Sequence, residues 1–330
     1  MKSAARRRTL TALVAAASVT LALAACGTTE STTDEDAAVS GGPITITDAR
    51  GVDVELDGPA TRVVGTEWNV VEHLVSLGVM PVGAADVEGY SAWVTSEPLD
   101  GDVEDIGTRG EPSIDTIASL DPDLVVATSD LPEAAIAQLE EIVPVIVITS
   151  ADASAQIERM YDNTRMIAEA TGTSDVADEV LAGFETAVAD GAAAIEDAGL
   201  EGAPVAFSDA YVAGGAVSIR PYVEGSLIAS VNEELGLTMP WDLEGDPAYG
   251  LAATDVEGLT ALPDDVNFVY ITNGSEEDDA YASTLAGNAV WESLPFVEAG
   301  DVTRLPDGIW MFGGASSMEV YIDSLVDALS

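Results

Sequence analysis

Seven arginines and no lysine follow residue 26, against 59 acidic residues in the chain. One of the seven, Arg109, stands in "DIGTRGEPSID" among Gly107, Thr108 and Gly110. Small neighbours leave a backbone free to approach a ligand, and a guanidinium fork donates two hydrogen bonds at once to a pair of anionic oxygens such as a carboxylate. Arg220, in "SIRPYVEG", offers the same chemistry from the second half of the chain. In so acidic a chain, either guanidinium could instead pair with a nearby carboxylate. Aromatic residues are scarce at 5%, yet Trp68, Tyr90, Trp93, Tyr211, Tyr222, Trp241 and Trp310 fall at loop-like positions. Rigid rings with a polar tip suit a small-molecule pocket, and they also complete cores. Trp68, Tyr211 and Trp310 carry the stronger case, since they follow strand-like runs or stand beside Gly313 and Gly314.

Two further acids are paired by an internal echo. "SIDTIASLDPDLVVA" from Ser113 and "DVEGLTALPDDVNFVYI" from Asp255 share one order of cap, β-branched residue, acid, apolar residue, Leu, Pro-Asp turn and strand. Each spacing predicts a short capped helix with Asp115 or Glu257 in its first turn. A carboxylate there complements the helix dipole, by about 0.3–1 kcal/mol. Matched acids on two lobes also make a paired docking surface.

The remaining chemistry is narrow. His73 is the single histidine and Cys26 the single cysteine, so a bare transition-metal site built from these ligands is not expected. His73 lies in "NVVEHLVSLG", whose period puts it on a boundary or solvent face. There is no G-x-S-x-G elbow, and a Ser/His/Asp arrangement would have to recruit His73. With 59 acids no particular carboxylate pair is meaningful, which leaves a secreted carboxylate-dependent hydrolase as the rival from another class. The expectation is a protein that is not an enzyme. The dearth of Lys and Arg excludes nucleic acid as a partner.

The elements that must position these residues are those of an α/β protein. Apolar runs at 61–66, 123–129, 143–150, 203–210 and 267–273 read as buried strands, alternating with helical segments such as 69–78. One long helical pattern, 174–199, breaks the rhythm, with Ser174 as N-cap, Gly199 as stop and Val176, Val180, Phe184, Val188 and Ile195 as recurring apolar positions. The architecture implied is two α/β lobes with mainly parallel sheets, residues 44–173 and 200–330, joined by a single long helix.

The first 25 residues combine a basic start with an apolar stretch and read as a secretory signal. "LAACG" around Cys26 resembles a bacterial lipobox, which implies a lipidated Cys26 at the head of a flexible tether over 26–43. The expected location is the extracytoplasmic face of a bacterial cell membrane.

Larger stretches carry a family likeness. "TRVVGTEWNVVEHLVSLGVMPVG", "DIGTRGEPSIDTIASLDPDLVVA", "GSLIASVNEELGL" and "VWESLPFVEAGDVTRLPDGIWMFGG" together resemble class III solute-binding lipoproteins of bacterial ABC importers, in the iron–siderophore branch. That resemblance implies a ligand cleft between the lobes, a ferric siderophore as transported cargo with no permanent cofactor, a monomer, and an ABC permease served by a cytoplasmic ATPase. It implies ligand contact at Arg109, Arg220 and the cleft aromatics, and permease docking by Asp115 and Glu257. Asp115 departs from the glutamate usual in the family and is one methylene shorter. The acidic field favours a neutral or cationic complex, hence a hydroxamate-type chelate; cobalamin or haem, the latter with Tyr211 or Tyr222 as axial ligand, is the alternative cargo.

Overall fold

The computed structural model describes residues 42–274 and 278–330. Cys26, the signal over 1–25 and the tether as far as residue 41 lie outside those residues. None of the described helices is long and apolar enough to cross a membrane.

The first sheet grows around central runs that are almost wholly apolar. In Leu124–Thr128, Leu124 and Val126 pack with Val63, Ile146 and Ile148, while Val125 and Ala127 pack with Val64, Val145 and Val147. Successive strand residues point to opposite faces, so a continuous apolar run requires cover on both sides. The first sheet has the order Glu104–Asp105, Gly83–Ala84, Val63–Gly65, Leu124–Thr128, Val145–Ile148, with every pair parallel. The second has the order Ala216–Pro221, Val205–Ala213, Asn267–Tyr270, Val302–Arg304; its first pair is an antiparallel hairpin and the others are parallel. Each of the five runs expected as strands overlaps a strand of these sheets.

Between the sheets in sequence runs the helix Ser174–Asp197, about 36 Å long at 1.5 Å per residue. Its N-cap is Thr173 rather than Ser174, and Gly199 follows its end in the left-handed conformation at φ +74°. The buried stripe is Ala177, Leu181, Phe184, Gly191 and Ile195. Only Phe184 and Ile195 of the expected apolar positions belong to it; Val176 is exposed and Val180 and Val188 are half-buried. Small residues explain the rotation, because the contact surface needs close approach. A Cβ on Gly191 would lie 2.7 Å from Ile322 and 2.8 Å from Leu235.

The helix Trp68–Ser76 is buried at every residue from Trp68 to Leu74. Its own sheet, the helix Gln156–Thr171 and the C-terminal helix Ala315–Leu329 enclose it. His73 is therefore buried, not on a boundary or solvent face as its helical period suggested. Its Nδ1 lies 3.2 Å from Thr164 Oγ1, and burial lowers the imidazole to about 4, so the ring is neutral.

The echo between the lobes is real at its caps. Ser113 Oγ accepts the Thr116 N–H, and Asp255 Oδ1 accepts the Gly258 N–H. Ile117 and Leu259 are fully buried at matching positions, while Asp115 and Glu257 are exposed. The first copy is the α-helix Ile114–Ser119; the second is only the 3-10 turn Gly258–Ala261, with Glu257 at its N-cap.

Candidate functional site: a cleft between two sheets

The first-sheet wall of the site is made of residues just beyond the carboxyl ends of parallel strands, where open α/β sheets leave their backbones free for ligands. Glu67 and Trp68 follow Val63–Gly65, Asp86 follows Gly83–Ala84, and Arg109 follows Glu104–Asp105 at the tip of a small hairpin. The facing wall comes from Asp209 and Tyr211 on Val205–Ala213, Arg220 on its hairpin partner, Tyr249, and the segment Trp310–Phe312. Together they enclose a cleft of about 620 Å³, within the range of small-molecule sites.

Two arginines and a stack of rings dominate it. The Arg109 guanidinium lies 3.9 Å above the Trp68 ring and 5.3 Å from that of Trp310. Its Nη1 donates to Glu67 Oε1 at 2.9 Å, and its Nε and Nη2 donors have no partner among the described residues. Trp310 meets Trp68 edge-on at 4.7 Å, Trp93 at 6.0 Å and Phe312 at 5.0 Å. Opposite, Arg220 forms a fork with Asp209, Nε donating to Oδ1 at 2.9 Å and Nη2 to Oδ2. Register fixes that pair, since Asp209 and Arg220 are direct cross-strand partners. Burial pushes the Asp209 carboxyl up and Arg220 beside it pulls it back.

Two more polar groups in the cleft are uncommitted: Asn69 Oδ1 and Trp310 Nε1 are buried and have no hydrogen-bond partner among the described residues. At the rim, the Tyr249 hydroxyl donates to Asp130 of the first lobe.

Of the nine residues expected at a ligand site, six line the cleft: Arg109, Arg220, Trp68, Trp93, Tyr211 and Trp310. Tyr211 is also the ring most open to solvent, at 49% exposure. Three do not line it. Tyr90 is wholly buried behind the wall, its hydroxyl donating to the Glu97 carbonyl at 2.7 Å. Tyr222 is wholly buried beneath Arg220, with its hydroxyl 3.3 Å from Asp209 Oδ2. Trp241 packs on the other face of the second sheet and donates from Nε1 to the Phe207 carbonyl at 3.3 Å. In each case the ring supports the site or the core instead of facing a ligand.

A family model described as periplasmic binding protein matches residues 63–308. The chain belongs to that family. It is a family of binding proteins, not of enzymes. Among curated relatives, the chain is 25% identical over 271 residues to the iron(3+)-hydroxamate-binding protein FhuD of Escherichia coli (strain K12), covering 81% of this chain and 86% of that one. It is 23% identical over 312 residues to the probable siderophore-binding lipoprotein YfiY of Bacillus subtilis (strain 168), covering 92% of each. Among solved structures, the Fe3+–Desferal-bound siderophore-binding protein FhuD from Vibrio cholerae superposes with a TM-score of 0.70 at 26% identity, over 82% of this chain and 97% of that one. The expected fold of two α/β lobes thus agrees with both the observed sheets and the structural neighbours.

Sequence reasoning passed over Glu67, Asp86, Asp209, Tyr249 and Phe312. Two of these carried a usable signal. Asp209 stands two residues before Tyr211 on one strand and so shares its face, and Phe312 stands two after Trp310.

Proposed function

We propose that this chain captures a ferric siderophore outside the cytoplasmic membrane and delivers it, as a monomer anchored through a lipid on Cys26, to the permease of an ABC importer. The observation that carries the reading is the cleft itself. Two guanidiniums and three tryptophans line it, and Arg109 keeps unused donors that can reach the ligand oxygens around a bound iron. The iron belongs to the cargo, and its own chelator supplies the ligands. The names of the relatives support the same cargo class.

The charges of the cleft favour a neutral or cationic complex. Its lining holds three carboxylates, Glu67, Asp86 and Asp209, against the two guanidiniums, and each arginine is already matched to an acid. A ferric tris-hydroxamate centre is neutral, since three monoanionic groups balance the metal, and needs only hydrogen-bond donors. A tris-catecholate centre is trianionic and would need counter-charge that these arginines have already given to Glu67 and Asp209.

Asp115 and Glu257, exposed in equivalent capped turns of the two lobes, are the docking acids of this reading.

The test is intrinsic tryptophan emission titrated with ferrioxamine, ferrichrome, a ferric catecholate, ferric citrate, haem and cobalamin. Trp68, Trp93 and Trp310 all line the cleft, so a bound ferric chelate quenches them. Saturable quenching by a ferric hydroxamate is expected. Response to haem alone, with a Soret band, or to cobalamin alone would move the cargo, and silence across the panel would overturn the siderophore reading.

A further inference from the structure

Glu72 is wholly buried and does not line the cleft. It lies one turn into Trp68–Ser76, after Trp68 and Asn69, which do line it. Its carboxylate reaches across the lobe boundary. Oε1 accepts the Ser317 N–H at 2.8 Å and Oε2 accepts the Ser317 hydroxyl at 2.9 Å, with Gly314 packed close beside them. These donors belong to the start of Ala315–Leu329, whose N-cap residue, Gly314, contributes no side-chain bond of its own. The first N–H groups of a helix have no intrahelical acceptor, and the dipole there favours a negative charge. A residue of one lobe therefore caps the last helix of the other. Immediately before that helix stand Trp310, Met311 and Phe312, the opposite wall of the cleft. Gly313 and Gly314 leave room for the contact, because a Cβ would lie 2.4 Å from Glu72 Oε2 at the first and 3.0 Å from the His73 ring at the second.

We propose that Glu72 is a positioning residue for the ligand cleft: its carboxylate clamps the Trp68–Asn69 wall to the Trp310–Phe312 wall, and loss of its charge loosens both and weakens ligand binding. The proposal rests on the reading of the cleft as the ligand site.

The groups around Glu72 make the clamp responsive to pH. Desolvation pushes its carboxyl up to about 7 against the pull of the Ser317 donors, and the Glu97 carboxylate raises it further. Glu97 is itself held at the same helix start, by Ser316 Oγ at 2.7 Å. His73 is neutral, and the Tyr90 hydroxyl is pushed up by burial and by Glu72 and Glu97, so neither offers a counter-charge. Ser96 Oγ, 3.2 Å from Ser317 Oγ, completes the polar shell. A proton on Glu72 removes the charge that both Ser317 donors point at, and the charge-assisted pair of bonds weakens.

The experiment has two arms, on wild type, Glu72→Gln and Glu72→Asp. In the first, tryptophan emission of the ligand-free protein is followed between about pH 8 and about pH 6, roughly one unit either side of the transition. Wild type is expected to show a transition with a midpoint near 7; Glu72→Gln is expected to show none, and Glu72→Asp to restore one. In the second, one ferric chelate that wild type binds is titrated over the same range. Its Kd is expected to rise about tenfold in wild type as pH falls and to stay flat, at the weak end, in Glu72→Gln. Identical pH profiles for wild type and Glu72→Gln overturn the proposal. If Glu72→Gln does not fold, Ser317→Ala removes the hydroxyl donor and is expected to move the wild-type midpoint upward; an unmoved midpoint overturns the proposal. A wild type that shows the emission transition and binds no ferric chelate overturns the siderophore reading, while the clamp stands on the first arm.

Discussion

Arg109 lies over Trp68, its guanidinium carbon 3.9 Å from the ring centroid, while its Nη1 donates to Glu67, the residue just before that tryptophan. The guanidinium is thus held by a ring and by one carboxylate, leaving other donors for a ligand. Arg109→Lys keeps the charge and loses the planar fork. We expect both Arg109→Lys and Arg109→Ala to raise the Kd for the bound chelate about tenfold or more, with a change of at most about 0.5 kcal/mol in folding stability. Emission titration and thermal unfolding measure the two quantities. A Lys variant that binds like wild type would reduce Arg109 to a point charge.

Glu67 controls which charge the cleft accepts. Glu67→Gln retains an acceptor for Arg109 and removes one negative charge, leaving two carboxylates and two guanidiniums on the lining. The expected result is an affinity gain of about tenfold for a ferric catecholate or ferric citrate, with a neutral ferric hydroxamate changed by less than about threefold. Isothermal titration against the pair reads the ratio, and an unchanged ratio removes Glu67 as a selector.

Asp115 and Glu257 sit outside the cleft, exposed at equivalent positions two residues after a side-chain cap. Asp115→Ala and Glu257→Ala should leave chelate affinity as it is and lower uptake in cells, the double variant most. Loss of affinity in either variant, or full uptake in the double one, would count against docking by these acids.

His73 and Glu72 are adjacent, both buried, and opposite in their pH linkage. His73 falls from 6.5 to about 4, so its contribution to stability is complete above about pH 6.5 and is lost as pH falls towards 4. Glu72 rises from 4.5 to about 7, so the folded state holds its proton more tightly and stability falls as pH rises from about 4.5 to 7. Each is worth up to about 3 kcal/mol across its window, and the two oppose each other where the windows overlap. His73→Asn removes one side of the balance. Urea unfolding should then show the variant gaining stability relative to wild type on acidification through that overlap. A constant difference at every pH would contradict the assignment.

Much of the fold was legible because the central strands of the first sheet are buried on both faces. Runs such as "DLVVATS" and "VPVIVITS" have no polar residue to spare for solvent until they end. The linking helix was legible for its length, but not its facing. The Val176–Val180 stripe and the Ala177–Leu181 stripe differ by one residue, and the choice depended on small residues meeting Ile322 and Leu235 far along the chain. In the cleft, rare residue types gave themselves away: Arg109, Arg220, Trp68 and Trp310 are conspicuous where cations and tryptophans are few. Glu67 and Asp209, their partners, were hidden among 59 acids. Tyr222 and Tyr90 were misplaced because a tyrosine under an arginine and a tyrosine facing a ligand have the same local sequence pattern. His73 was misplaced because a helix enclosed by both lobes has no solvent face, which its own period does not show.

The chain crosses from one sheet to the other only once, along Ser174–Asp197, and this separates the two sheets along the sequence. Every strand of the first sheet lies between Val63 and Ile148, and every strand of the second between Val205 and Arg304. The first can close independently of the second. Glu72 is an exception to that independence. Its donor residue, Ser317, lies beyond the last strand of the second sheet, so the contact forms only when the segment after that strand is present. Completion of the cleft therefore needs more than two closed sheets: a chain cut after Arg304 would keep every strand of both and lack the Trp310–Phe312 wall.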